Sequence, residues 1–110
     1  MIAAGVLVVA LTAHAPAAVP VDDRLPVQGR APVADGSRTV LLQERSATGE
    51  WYRVARQRTR PTGWFRISIR SGHALTERTL RVVAPPSSGL SREATPPFDV
   101  DVVLRGRIDR

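Results

Sequence analysis

Three observations predict an all-β fold, an antiparallel β-sandwich of six to seven strands. Apolar residues recur at every second position in separate stretches between residues 25 and 104. Turn residues fill the gaps between those stretches, and no segment past the N-terminal run carries a convincing 3.6-residue period. Alternation of this kind suits half-buried antiparallel strands, one face dry and the other wet.

The chain opens on an apolar, uncharged run from Ile2 to Ala13, then His14 and Ala15-Pro16-Ala17-Ala18-Val19-Pro20. About a dozen apolar residues fall short of the roughly 20 that a membrane span needs. Ala15-x-Ala17 supplies the small residues of a signal-peptide cleavage site, with the cut before Ala18. Ala13-x-Ala15 is the other option, but Pro16 would then follow the scissile bond. Only the α-amino group of Met1 is positive ahead of the run, so an uncleaved apolar anchor through residues 2–19 is the alternative. The expected division is a signal peptide or N-terminal anchor over 1–17, helical in form, and a linker over 18–24. The sandwich follows over 25–105, and a tail over 106–110. The expected location is secreted or cell envelope.

Within the sandwich, Leu25, Val27 and Gly29 alternate with Pro26, Gln28 and Arg30, and Val40 and Leu42 with Leu41 and Gln43. Phe65, Ile67 and Ile69 alternate with Trp64, Arg66, Ser68 and Arg70. Leu80, Val82 and Ala84 follow, then Phe98, Val100, Val102 and Leu104, with a short piece near Ser91–Thr95 as a seventh strand. Asp35-Gly36-Ser37, Ser46-Ala47-Thr48-Gly49, Ser71-Gly72 and Pro85-Pro86-Ser87-Ser88-Gly89 supply turns. Arg60-Pro61-Thr62-Gly63 suits a turn with proline second and glycine fourth. The stretch Trp51–Arg60 breaks the pattern: Tyr52 and Val54 look inward, yet the same alternation would bury Arg56, Arg58 and Arg60. Unpaired buried arginine is too costly, so a β-bulge near Ala55–Arg56 is expected to reset the face. The predicted core is Leu25, Val27, Val40, Leu42, Tyr52, Val54, Phe65, Ile67, Ile69, Leu80, Val82, Phe98, Val100 and Val102.

Composition narrows the chemistry. The 110 residues carry a net charge of +6, and all 16 basic residues are arginine. Lysine, cysteine and asparagine are absent, which removes disulfides, thiolate zinc sites, the P-loop lysine, Schiff-base chemistry and N-glycosylation. A sandwich of this size buries somewhat over 60% of its unfolded surface and folds without staples.

Val40-x-Leu42-Gln43-x-Arg45, Gly49-x-Trp51-x-x-Val54-Ala55, Thr59…Gly63-x-Phe65-x-Ile67 and Leu80-Arg81-Val82-Val83 span most of residues 25–104. Together they resemble bacterial exported immunoglobulin-like sandwich modules. The turn-Gly-x-Phe strand is similar also to the carboxypeptidase-regulatory-like β-sandwich. The resemblance implies an Ig-like sandwich used beside hydrolases or on cell-surface proteins, as a spacer or as a carbohydrate- or protein-binding accessory. The chain departs from antibody-type domains in lacking both cysteines, and in having Leu80 where a tyrosine often precedes the Arg-Val pair.

Catalytic candidates are few. His73 follows a turn with no second histidine near it; spacing permits a triad of Ser71 or Ser88, His73 and Asp99, since triads assemble in space, but no Gly-x-Ser-x-Gly elbow supports a hydrolase. Asp99 and Asp101 sit about 7 Å apart along one strand face. With Asp22 or Asp23 they could approach calcium, but a calcium site wants six to eight oxygens from a wrapping loop, and a solvated strand face is the expected reading. No enzyme activity, metal or cofactor is expected. The arginines stand out: Arg53, Arg56, Arg58, Arg60, Arg66 and Arg70, with Trp64, fall on two strands joined by the Pro61–Gly63 turn. As a paired hairpin they would form a guanidinium patch able to grip carboxylates or phosphates bidentately and stack on a ring. A solvated polar face is the competing reading. The expected partners are a cell-wall polymer, an acidic glycan or another secreted protein, and for an exported arginine patch also anionic lipid head groups. Nucleic acid is not expected, and a membrane anchor follows only from an uncleaved leader.

Overall fold

The computed structural model describes residues 10–105 as nine β-strands in two sheets, with no helix among them. The strands are β1 (Thr12–His14), β2 (Ala18–Pro20), β3 (Arg24–Arg30), β4 (Thr39–Arg45), β5 (Trp51–Arg58), β6 (Trp64–Arg70), β7 (Glu77–Ala84), β8 (Glu93–Ala94) and β9 (Phe98–Val103). The smaller sheet runs β1-β3-β6. The larger runs β2-β9-β7-β4-β5, with β8 on β7. All pairings between these strands are antiparallel except β2 with β9.

The inward positions are those of the period-2 pattern. Leu25 and Val27 of β3, Val40 and Leu42 of β4, Phe65 and Ile67 of β6, Leu80 and Val82 of β7, and Val100 and Val102 of β9 are all buried in one cluster. Val54, Ile69 and Phe98 pack against it partly buried. Burial of side chains this size contributes about 1.5–3 kcal/mol each, so the cluster is the main term holding the sheets together.

Tyr52 is the exception, at 48% exposed. It lies opposite Glu44, on the side of β5 that faces the smaller sheet, but β5 is an edge strand and a three-strand layer does not cover a five-strand one. The expected bulge exists, displaced toward the N-terminus of β5. Leu42 pairs with Ala55 and Gln43 with Arg53, which leaves Val54 as the extra residue. Arg56 thereby sits opposite the outward Leu41, and the arginines escape burial.

Residues 10–24 do not form a helical leader and a linker. Thr12–His14 pairs with Gln28–Arg30, Ala18–Pro20 pairs with Asp101–Val103, and Leu11 and Val19 are core residues. Val21 and Asp22 continue the anchoring through backbone bonds to Val103 and Gly72, and Ser71 donates its hydroxyl to the Pro20 carbonyl. The small alanines around Pro16 let the chain pass from one sheet edge to the other. Residues 1–9, most of the apolar run, lie outside the described residues, as does the 106–110 tail. No helix among the described residues is long and apolar enough to cross a membrane.

Two glycines are required by close approach. A Cβ on Gly29 would lie 1.9 Å from the Thr12 carbonyl oxygen, so the β1–β3 contact demands glycine there. Gly63 has φ +96° and its Cβ would meet the Ala31 oxygen at 2.1 Å. It closes the Arg60–Gly63 turn by donating its N–H to the Arg60 carbonyl, while its own carbonyl accepts from Ala31.

Arg38 is 1% exposed. Its guanidinium donates to the carbonyls of Pro32 (3.0 Å), Pro85 (2.9 Å) and Ser91 (2.8 Å). Its backbone N–H donates to the Thr59 hydroxyl, 3.0 Å away. A charge this buried is tolerated because its donors are spent.

Phe65→Ala is expected to cost about 3–5 kcal/mol, a large share of the roughly 5–15 kcal/mol typical of a domain; a loss below about 1 kcal/mol in denaturant unfolding contradicts the facing of β6. Arg38→Ala strands several buried carbonyls and should cost on the order of 3 kcal/mol in the same measurement. Arg38→Lys should recover less than half of it, because one ammonium does not reproduce the guanidinium fork.

Candidate functional site

The arginine-rich strands β5 and β6 do not pair with each other. β5 pairs with β4 in the larger sheet and β6 with β3 in the smaller, so the Pro61–Gly63 turn carries the chain from one sheet to the other. The expected continuous hairpin patch is therefore divided. Arg53, Arg56 and Arg58 lie on the outer face of the larger sheet, opposite Gln43, Leu41 and Thr39. Trp64, Arg66 and Arg70 lie on the outer face of the smaller sheet, opposite Arg30, Gln28 and Arg24.

The two groups meet at one place. β5 and β6 are each an edge strand, and where these edges come together an open cleft of about 620 Å³ forms. Arg58, Arg60, Trp64 and Arg66 line it, together with Gln28 and Gln57. Arg53, Arg56 and Arg70 lie outside it. The volume falls within the roughly 300–1,000 Å³ of small-molecule sites. Gln28 and Gln57 carry no signal of their own in the sequence; they become visible once β3 is known to pair with β6 and the bulge to turn Gln57 toward the cleft.

The arginines of the cleft differ in freedom. Arg58 is held by Ser37, whose carbonyl oxygen and hydroxyl both accept from it, and by the Thr39 hydroxyl at 3.3 Å. Arg30, beside the cleft, donates to the Thr62 carbonyl and sits 5.6 Å from the Trp64 ring centroid. No side-chain hydrogen bond restrains Arg60 or Arg66 among the described residues. The ion pairs there are Asp22–His73, Glu44–Arg78 and Asp23–Arg105, so no carboxylate neutralises the cleft arginines. Trp64 is 50% exposed.

A second tryptophan is differently placed. Arg45 and Arg81 stack on Trp51 at 5.5 and 4.3 Å from the ring centroid, and Arg81 Nε donates to Gln43 Oε1 at 2.8 Å. Desolvation, followed by the charge of Arg92, lowers the Arg81 pKa. Trp51 is thereby committed to its own sheet.

The remaining candidates are not assembled. His73, in the loop between β6 and β7, pairs with Asp22 and is almost fully exposed, while Asp99 of β9 accepts a hydrogen bond from its cross-strand neighbour Thr79 of β7. Ser71 spends its hydroxyl on Pro20 and the Asp23 N–H, so neither Ser71 nor Asp99 joins His73. Asp22, Asp23, Asp99 and Asp101 are engaged separately or apart, and no group of three potential metal ligands occurs among the described residues.

A pair of partly buried charges marks the opposite end of β4. Arg78 makes a two-pronged bond to Glu44 (2.9 and 2.7 Å) and also donates to the carbonyls of Arg70 and Ser71, tying β7 to the end of β6. The Glu44 hydrogen bond raises the Arg78 pKa against the opposing effect of burial. Tyr52 is raised too, by desolvation first and then by the Glu44 carboxylate.

No family model and no curated protein matches this chain. Among solved structures it is similar to the sulfur carrier protein SoxY from Chlorobium limicola f thiosulfatophilum, with a TM-score of 0.56 and 16% sequence identity. The likeness covers 86% of this chain and 79% of that one, and at this identity it is a likeness of fold.

The raised phenol has a clean readout. With one Tyr and no Lys or Cys in the chain, no other side chain titrates close to pH 10. The folded state holds the Tyr52 proton more tightly than the unfolded chain, so that stabilisation is whole below about pH 10 and is lost as pH climbs through the folded value. Unfolding midpoints measured from pH 8 to 11.5 should fall at the alkaline end, and Tyr52→Phe should flatten that fall.

Proposed function

We propose that the chain is a non-catalytic, immunoglobulin-like β-sandwich module of a secreted or cell-envelope protein, and that it binds an anionic polymer at the β5–β6 cleft. The observation that carries the binding reading is the convergence of Arg58, Arg60 and Arg66 on one concave site with no carboxylate to neutralise them. Guanidinium groups left free in a cleft recognise carboxylate, sulfate or phosphate groups through paired N–H donors.

The strand order supports the Ig-like reading. β1-β3-β6 against β9-β7-β4-β5 follows the ABE and GFCC′ layers of immunoglobulin-type sandwiches, with β5 as the added strand of the second layer. SoxY is described as a sulfur carrier. At 16% identity the likeness is one of fold, and with no cysteine among the 110 residues a persulfide cannot form on a side chain here, so that role is not carried over to this chain.

The apolar run at 2–13 supports export. A leader that ends before residue 10 leaves every strand in place, whereas a cut before Ala18 deletes β1 and the core residue Leu11. Mass spectrometry of the mature N-terminus decides between these.

The binding reading is tested with the triple variant R58Q/R60Q/R66Q on immobilised dextran sulfate. At about 1 kcal/mol per exposed arginine near an anionic surface, the triple change should weaken binding on the order of 100-fold at low salt. The parent should lose its advantage as salt rises and the Debye length shortens to roughly 3 Å at 1 M. Equal retention of parent and variant overturns the binding reading and leaves a spacer module.

A further inference from the structure

We propose that the ligand of the β5–β6 cleft is a polymer of carboxylate-bearing sugars. This rests on the polyanion reading above and specifies its chemistry. The cleft is not lined by cations alone. Gln28 lies beside Arg66 across the β3–β6 pairing, and Gln57 lies on the strand end that carries Arg58.

Each glutamine presents an amide carbonyl that needs a donor and an NH₂ group that needs an acceptor. A polyphosphate offers acceptor oxygens only, so it can take the amide N–H donors but supplies no donor to either amide carbonyl. A uronate ring offers hydroxyls, which donate and accept, beside one carboxylate per ring. Arg60 and Arg66, unrestrained by other side chains, match the carboxylates, while the amides match the hydroxyls.

Trp64 supplies the third element. It is half exposed, lines the cleft, and carries Arg30 against its ring at 5.6 Å. An indole face is electron-rich and attracts the positively polarised C–H groups of a pyranose ring. Trp51 carries two guanidiniums, Arg45 and Arg81, whereas Trp64 carries one, Arg30, and is the tryptophan that lines the cleft. Arg58, fixed by Ser37 and Thr39, provides a rigid charge at the cleft rim, and Arg60 and Arg66 adapt around it.

The experiment compares oligogalacturonate with polyphosphate of equal charge number, by titration calorimetry on the full chain at one ionic strength. The parent should bind oligogalacturonate at least 10-fold more tightly. Trp64→Ala and the double variant Q28A/Q57A should each abolish that preference while leaving polyphosphate binding within about 3-fold of the parent. Trp64→Phe should restore most of it, which separates loss of the aromatic face from loss of folding. Equal or tighter binding of polyphosphate by the parent, or an unchanged preference in Trp64→Ala, overturns the sugar assignment and leaves the general polyanion reading standing. Binding of neither polymer overturns both.

Discussion

Arg38 is the largest side chain sealed from water, and among the described residues no carboxylate neutralises it. Such a group survives only where carbonyl oxygens accept hydrogen bonds from its N–H donors. Those carbonyls belong to Pro32, after β3, and to Pro85 and Ser91, on either side of the β7–β8 connection. One residue therefore fixes where loops from both sheets leave the sandwich. The constraint reaches the cleft in two further steps. The Arg38 N–H donates to the Thr59 hydroxyl, and that hydroxyl donates to the Arg60 carbonyl at 2.8 Å. Arg60 opens the turn that delivers Trp64, so the backbone of the residue whose guanidinium is sealed in the core is tied to the turn that places the exposed indole.

The strands were legible because each one's evidence is local. Phe65, Ile67 and Ile69 declare the dry face of β6 within five residues, and so do Val100 and Val102 in β9. Which strands pair is not local information. Pro61 and Gly63 read as a hairpin turn, and the turn does form, but Gly63 is bonded to Ala31 beyond the end of β3, which draws β6 into the smaller sheet. The cleft was legible only in part for the same reason. Its arginines and Trp64 stood out by number, while Gln28 and Gln57 join them through a pairing that no short stretch of sequence displays.

The N-terminal strands were hidden by a different ambiguity. Ala13, Ala15 and Ala17 are small at alternate positions, which is what a signal-peptide site requires and also what a narrow strand crossing between two sheet edges requires. Leu11 and Val19 bury into the core on either side of that crossing. Arg38 left no signal in the pattern, since a single arginine before a strand reads as a solvated loop residue until its carbonyl partners are brought together by the fold.

An exposed strand edge is an invitation to pair with another chain, and charge and bulges are the usual deterrents. β5 carries both, in Val54 and the arginines that follow it, and β6 carries Arg66 and Arg70. Edge protection therefore accounts for the arginines without any ligand. It does not account for a half-exposed indole set among them, which adds apolar surface where protection calls for charge, nor for two neutral amides at the same cleft. That combination of features is what the binding proposal rests on, and among the described residues it is the β5–β6 cleft that sets an exposed indole and two amides beside uncompensated guanidiniums.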